Sequence, residues 1–422
     1  MIKKLLMFFR KLIKIKRCQQ INLKDKNFSF WKCTGETPQV IYFSYGIDRT
    51  KEKAKKKAIF ECIERYFISF NKEQREKMVL KSYSEIREKA LHPTLIFPFL
   101  DIQYSQEKFK YSKLKENDKI YWVKGKSFFK NEEIFVPACA VYCQYKRAKS
   151  EPSIGRATSN GCAVGRSFFT TILNASLELI ERDAVLIRWF NKLPSPRIKF
   201  DFLPNNIKHI IKTTEKHYCV KVLINDLTLD SEIPVVSVLL QSSRPPYFTF
   251  GSAAEFSIKK AIIKALQESL LIRYELRNAR SQNSKRRNFS YIQNLYQHAE
   301  FYAENNVYEA FRFLYESPFL STKKLNNYEN IYNKIKTIKE KFNYLKSYCK
   351  KLKTDIIFID LTPRELKYYK LYILRVIIPG FLPLNSEYNA RYLGCKRLYS
   401  LPVQLGFEKN LSKKFHKFPH PI

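Results

Sequence analysis

Glycine is scarce in this chain, with ten residues in 422. A sequence that avoids glycine keeps it where a positive φ or a close backbone approach leaves no alternative. Five of the ten, Gly46, Gly161, Gly165, Gly251 and Gly380, fall in four stretches described below. No GxxxxGKS or GxxxxGKT loop occurs, which excludes a Walker-type phosphate cradle. The nine cysteines include no CxxC pair. Cys139 and Cys143 lie in an apolar run, VPACAVYCQY, that reads as a strand and is poorly spaced for zinc. An odd number of cysteines, without a signal peptide, predicts reduced thiols and a cytoplasmic protein. The six histidines form no HxH pair, so a histidine metal centre is not expected. No run approaches the roughly 18 apolar residues that span a bilayer.

Acidic residues are half as numerous as basic ones, 39 against 77, giving a net charge of +38. Such a charge invites nucleic acid, since neutralising phosphates drives that binding. The lysines are scattered, however, and Lys, Ile, Asn, Tyr and Phe are all abundant. That is the composition an AT-rich genome encodes. The charge is therefore read as composition, and a nucleic-acid partner is not expected.

Residues 1–17, MIKKLLMFFRKLIKIKR, place Ile2, Leu5, Leu6, Phe9, Leu12 and Ile13 at helical spacing with basic residues opposite. Charge interrupts the apolar stretch, so it is no signal peptide. Three readings stand side by side: contact with an anionic membrane, docking to a partner, or packing on its own domain. From Phe28 short strands follow, then a helix over 51–70, then proline-punctuated strands and loops over 80–150. VKVLINDLT and IPVVSVLLQ read as two paired strands, residues 285–353 as largely helical, and DIIFID and YILRVIIPG as closing strands. No linker divides the chain convincingly. The expected parts are a basic segment 1–27, one domain 28–406 and a proline-bearing tail 407–422. Strands in pairs with helices between groups predict an α/β (α+β) fold with largely antiparallel sheets layered with helices.

Three helices carry acids on one face. The central stretch, 159–190, opens with Ser159-Asn160-Gly161. Its helix sets Ile172, Ser176, Leu179, Leu186 and Phe190 on one side and Thr171, Asn174, Glu178 and Glu181 on the other. Positions three and four apart are neighbours on a helix, and like charges there repel. AIFECIERYF carries Glu61, Glu64 and Arg65, and AIIKALQESLLIRYEL carries Glu268, Arg273 and Glu275. Any one of these reads as an ordinary amphipathic surface helix. Three with the same signature point to a shared cation, and hard divalent ions such as magnesium take oxygen ligands. Glu61, Glu64, Glu178, Glu181 and Glu268 are the candidate metal ligands. Arg65 and Arg182 directly follow glutamates, and direct neighbours point apart on a helix, so both read as structural anchors.

At these residues the chain resembles the YcaO family. SYGIDRTKEKAKKKAIFECIERYF is similar to its glycine turn and first ExxER helix. SNGCAVGRS followed by NASLELIERDA is similar to its second motif, and FTFGSAAEFSIKKAIIKALQESLLIR to its third. DIIFIDLTPRELKYYKLYILRVIIPGF resembles its late strand, DLT turn and PG strand end. The resemblance implies a YcaO-like fold with ATP and Mg2+ bound between the three acid-bearing helices. It implies that Ser159, Asn160 and Asn174 contact the nucleotide and that Arg273 binds phosphate. Metal ions and arginines would then hold the triphosphate in place of a glycine cradle.

The resemblance further implies a cyclodehydratase that phosphorylates a backbone amide of a ribosomally made precursor peptide. A neighbouring Cys, Ser or Thr then closes a thiazoline or oxazoline. External sulfide would give a thioamide instead, which is the alternative activity. Pro419 and Pro421 resemble the proline-rich carboxyl end that reaches the active site in azoline-forming members, although Ile422 stands in place of a final proline. A disordered terminus is the other reading of that tail. Ala58 stands where the first motif has Ser, and Leu271 where the third often has Gln. Both departures bear on nucleotide binding and keep a non-catalytic scaffold among the readings. No fused leader-binding domain is recognised, so a separate leader-binding protein is expected, and a basic surface suits an acidic leader. A homo-oligomer is also expected.

Overall fold

The computed structural model describes residues 15–37, 40–277, 289–407 and 415–422. Residues 1–14, most of the basic amphipathic stretch, lie outside them. The chain forms two compact units, Met1–Leu179 with Phe342–Gly380, and Ile180–Lys341 with Phe381–Ile422. Each unit is discontinuous in sequence, which is why no linker marks the division.

The first unit opens with an antiparallel meander, β1 (Arg17–Ile21), β2 (Ser29–Glu36) and β3 (Ile41–Asp48). Strand β1 lies inside the segment read as a basic arm and pairs with Phe30 to Thr34 of β2. Cys18 and Cys33 face each other in that register and form a disulfide. The expectation of reduced thiols fails for this pair, because opposed residues on adjacent strands share a face. The other seven cysteines form no disulfide. Helix α1 (Lys51–Ile68) lies on the meander. Thr50 caps its first turn by accepting from the Lys53 N–H, and Ala54, Ala58, Ile59, Cys62 and Ile63 are buried.

A six-stranded antiparallel sheet completes this unit. It contains β4 (Val79–Ser82), β5 (Lys119–Ser127), β6 (Glu133–Pro137), β7 (Cys162–Gly165) and the strands Ile357–Asp360 and Tyr372–Ile377. The last two, read from the sequence as closing strands, pair with each other. Residues 138–141 form a helical turn where the sequence suggested a strand. Pro137 ends β6, and the Tyr142 N–H turns back to the Ala138 carbonyl. Helix α2 (Phe168–Asn191) begins in this unit.

The second unit contains α3 (Asn205–Tyr218) and a second antiparallel meander, β8 (Lys221–Asp226), β9 (Val235–Gln241) and β10 (Phe248–Ala254). Helix α4 (Ile258–Leu276), capped by Ser257, lies on it. Further helices follow, beginning with α5 (Leu295–Glu304), as the reading of 285–353 anticipates. Residues 415–422 are mostly buried within this unit, which removes the disordered reading of that segment.

Each unit thus sets a helix on the last strand of a three-stranded meander, and each contact is made at a glycine. A Cβ on Gly46 would lie 2.0 Å from the Ala54 carbonyl oxygen of α1. A Cβ on Gly251 would lie 2.3 Å from the Ala265 carbonyl oxygen of α4. Only glycine lets strand and helix backbones approach this closely. Among the described residues, no helix is long and apolar enough to cross a membrane.

Candidate functional site

The first unit holds Glu61, Glu64 and Glu178. Glu61 is fixed by the strand beneath it, for the Tyr45 N–H donates to its Oε2 at 2.8 Å. Its other oxygen accepts from Arg65 Nη2 at 2.7 Å and Nε at 3.0 Å. Arg65, expected to anchor its helix to other carboxylates, turns back to Glu61 one turn away on the same helix. Glu64 keeps part of its surface exposed, yet its carboxyl is pushed well above the usual range. Burial is the main cause, followed by the charges of Glu178 and Glu61, with Arg65 and Arg375 opposing them.

Arg375 escaped the sequence reading. It comes from the strand Tyr372–Ile377, and its buried guanidinium donates to the Thr158 carbonyl at 2.6 Å, the Ala140 carbonyl at 2.8 Å and Cys162 Sγ at 3.0 Å. The available signal was a lone arginine in the apolar run LYILRVIIPG. A charge in a buried strand demands partners.

The Ser159-Asn160-Gly161 turn lies in the same unit. Gly161 adopts φ +81°, and a Cβ there would meet the Val376 carbonyl at 2.5 Å. The Cys162 N–H closes the turn onto the Ser159 carbonyl at 2.9 Å. Asn160 is buried, and its Oδ1 has no hydrogen-bond partner among the described residues. A buried orphan acceptor is the kind of group a bound ligand satisfies. Asn174 stands exposed on α2. Ala58 is fully buried, with its backbone N–H under Gly46. The methyl side chain at that position is therefore core packing.

The second unit holds Glu181 and Glu268, joined by Arg182. Arg182 Nη1 lies 3.2 Å from Glu181 and its Nη2 lies 3.1 Å from Glu268. The rule that helix neighbours point apart is overridden by arginine's reach. Ser252 of β10 ties both acids to the sheet. Its hydroxyl donates to Glu181 at 2.7 Å and its backbone N–H to Glu268 at 2.8 Å. The glycine contact at Gly251 sets this distance. Burial raises the Glu181 pKa, with Arg182 opposing it. Arg273, the expected phosphate ligand, is buried and donates to the Pro246 carbonyl at 2.6 Å.

The carboxyl end belongs to this second unit. Pro419 and Pro421 are buried, as are His420 and Ile422. The Arg182 and Arg391 charges add to burial in holding His420 down to about 4. The tail is thus near enough to the Glu181–Arg182–Glu268 cluster to feel its charge.

Among the described residues, no three His, Cys, Asp or Glu side chains stand ready around one point to hold a metal ion. Glu61 is engaged by Arg65, and Glu181 and Glu268 by Arg182. The donor set nevertheless fits a hard divalent cation. It is all carboxylate, and Glu64 sits among like charges that such a cation would relieve.

Residues 45–382 match the family model described as YcaO cyclodehydratase, ATP- and Mg2+-binding. An uncharacterised protein of Methanothermobacter thermautotrophicus is 28% identical over 152 residues, 35% of this chain and 39% of that protein. Among solved structures, a heterocyclase in complex with substrate and cofactor aligns with 100% of this chain and 57% of its own, at TM-score 0.79 and 19% identity. YcaO from Methanopyrus kandleri bound with AMPPCP and Mg2+ aligns over 90% of this chain and 91% of its own, at TM-score 0.63 and 16% identity. The E. coli microcin synthetase McbBCD complex aligns over 86% of this chain and 88% of that one, at TM-score 0.61 and 18% identity. The chain therefore spans about two fifths of the curated relative and little more than half of the first heterocyclase. With four motifs, matching folds and a family model over most of its length, the chain belongs to the YcaO family, whose members bind ATP and Mg2+.

Proposed function

We propose that this chain is an ATP-dependent cyclodehydratase that forms thiazoline or oxazoline rings in a ribosomally made peptide. ATP supplies the phosphoryl group that turns an amide oxygen into a leaving group. Phosphoryl transfer needs positioning and charge neutralisation more than a protein nucleophile. Glu61, Glu64 and Glu178 in one unit, and Glu181 and Glu268 in the other, are the carboxylates proposed to hold Mg2+. Arg182 and Arg375 supply fixed positive charge beside them. Ser159, Asn160, Asn174 and Arg273 remain the proposed nucleotide contacts. Arg273 would exchange the Pro246 carbonyl for phosphate.

The observation that carries the cyclodehydratase reading over the thioamide one is the buried carboxyl end. Pro419 and Pro421 are held inside the unit that contains Arg182, in the manner expected of an azoline-forming tail. The heterocyclase and McbBCD structures lend the fold, and their names, a heterocyclase with substrate and a microcin synthetase complex, support a substrate to be cyclised and a partner protein. A precursor peptide and a separate leader-binding protein are the proposed partners, in the cytoplasm.

The test is mass spectrometry of a Cys/Ser/Thr-rich precursor peptide incubated with this chain, its leader-binding partner, ATP and Mg2+. Loss of one water per ring is expected. Replacement of oxygen by sulfur, seen only with added sulfide, would favour the thioamide alternative. Absence of Mg2+-dependent ATP binding would overturn both and leave a scaffold.

A further inference from the structure

The carboxyl end is held by an unusual seat. Five consecutive carbonyls, those of residues 416–420, each accept from a different side chain. The donors are Arg391 Nη1 at 3.3 Å, the Tyr388 hydroxyl at 2.5 Å, Trp189 Nε1 at 3.2 Å, the Tyr302 hydroxyl at 2.5 Å and His298 Nδ1 at 3.0 Å, in that order. No strand pairing is involved; a backbone bond runs from the His416 N–H to the Phe190 carbonyl at 2.8 Å, and side chains hold the rest.

The last contact is double. The imidazole of His420 lies flat on that of His298, with ring centroids 3.9 Å apart and planes within 14°. Both are essentially fully buried, at 1% and 0% exposure. A carbonyl only accepts, so His298 carries its proton on Nδ1 to reach the His420 carbonyl. His420 likewise carries its proton on Nε2, which reaches the Asn385 carbonyl at 2.8 Å. Each ring thus meets one of these backbone carbonyls, with the backbone of Ser386 also beside His298 and that of Ile422 beside His420, and the two neutral rings stack.

His420 sits between Pro419 and Pro421, so locking its ring locks the two prolines. The four preceding carbonyls would fix the path of the tail without this stack. The orientation of its last residues would then rest on the His420–Asn385 hydrogen bond and apolar contact, without the ring beneath.

We propose that His298 and His420 are positioning residues. Their stacked imidazoles set the orientation of Pro421 and the terminal Ile422, and so the geometry of cyclisation. This inference rests on the function proposed above.

The experiment uses the 422-residue chain and the variants His298→Ala, His298→Phe and His298→Asn. Two readouts are taken: digestion of the tail by carboxypeptidase, and steady-state turnover of the precursor peptide with its partner. In His298→Ala, tail residues are expected to be released rapidly, and kcat to fall about 100-fold, the cost of misplacing a group by roughly 1 Å. The KM for ATP should stay unchanged. His298→Phe keeps a ring to stack, and His298→Asn keeps a donor near the Nδ1 position. Each should recover part of the protection and part of kcat. A tail as protected and a kcat as high in His298→Ala as in the parent would overturn the inference. So would a kcat that falls only in proportion to melting temperature and ATP affinity. A parent chain that turns over no peptide while His298→Ala still loses tail protection would sink the functional reading and leave the seating of the tail standing.

Discussion

Glu64 is a carboxylate whose charge the metal-free fold disfavours, chiefly through burial. Its folded pKa lies above the value in the unfolded chain. The metal-free fold therefore binds this proton more tightly than the unfolded chain, and stability declines as pH rises from about 4.5 through the folded pKa. Glu64→Gln removes that penalty. The metal-free variant should melt higher than the parent at pH 8 and nearly equal to it at pH 5, while Mg2+-dependent ATP binding weakens. An identical melting temperature at both pH values would contradict this account. Arg182 poses the opposite case. Removing it leaves Glu181 and Glu268 close together and without a cation, so Arg182→Ala should cost about 3 kcal/mol in denaturant titration. Added Mg2+ should recover part of that loss in the proposed metal site. The carboxylates were legible in the sequence because their spacing is helical. Arg375 was not, since a strand position reveals nothing about what lies across the sheet.

Among the elements, the two helix-on-meander contacts decide where the acids stand. Gly46→Ala would press a methyl into the Ala54 carbonyl, and Gly251→Ala into the Ala265 carbonyl. Each should cost about 3 kcal/mol as the helix is pushed from the strand. Each should also loosen a strand-to-carboxylate hydrogen bond, Tyr45 to Glu61 or Ser252 to Glu268. Weakened ATP binding should accompany the fall in melting temperature, and a variant that loses neither would mean the contact is adjustable. The carboxyl segment responds to acid. His298 is held well below its ordinary value, mainly by burial and then by His420. His420 is held to about 4, mainly by burial, with Arg182 and Arg391 adding their charge. A histidine depressed in the fold supplies stability that is complete above about 6.5 and lost as pH falls toward 4. Hydrogen exchange at residues 415–422 should therefore quicken over that window before the rest of the second unit opens. Exchange that is flat from pH 7 to pH 4.5 would count against the neutral stack.

For the whole molecule, +38 is the dominant property. A charge scattered over the surface steers acidic partners without selecting a sequence. Duplex DNA should bind weakly and lose affinity steeply with salt. A nanomolar, sequence-selective affinity at physiological salt would revive the nucleic-acid reading. An acidic leader peptide should associate faster at low salt for the same reason. The division into two units was invisible at this scale, because each is assembled from two stretches of chain and the first boundary falls inside α2. A composition shift marks a linker, and an uninterrupted helix leaves none to find.

The sequence by itself determined the three acid-bearing helices, the paired strands and the glycines between them. Those features are local: helical and strand periods, turn chemistry and the cost of a Cβ are written in neighbouring residues. It also determined the family, since four motifs in order are a linear signal. Tertiary structure decided what each charge meets. Arg65 turned back to Glu61, Arg182 joined Glu181 to Glu268, and Arg375 arrived from a strand more than 190 residues beyond Glu178 in the sequence. It decided that Cys18 opposes Cys33, because register fixes which side chains share a face. It also decided the fate of the tail. Phe418-Pro419-His420-Pro421-Ile422 reads equally as disorder or as an inserted end. Only side chains gathered from α2, α5 and the segment around Tyr388 provide the donors that draw it inside. Burial of polar backbone requires partners, and partners distant in sequence are what a linear reading does not contain.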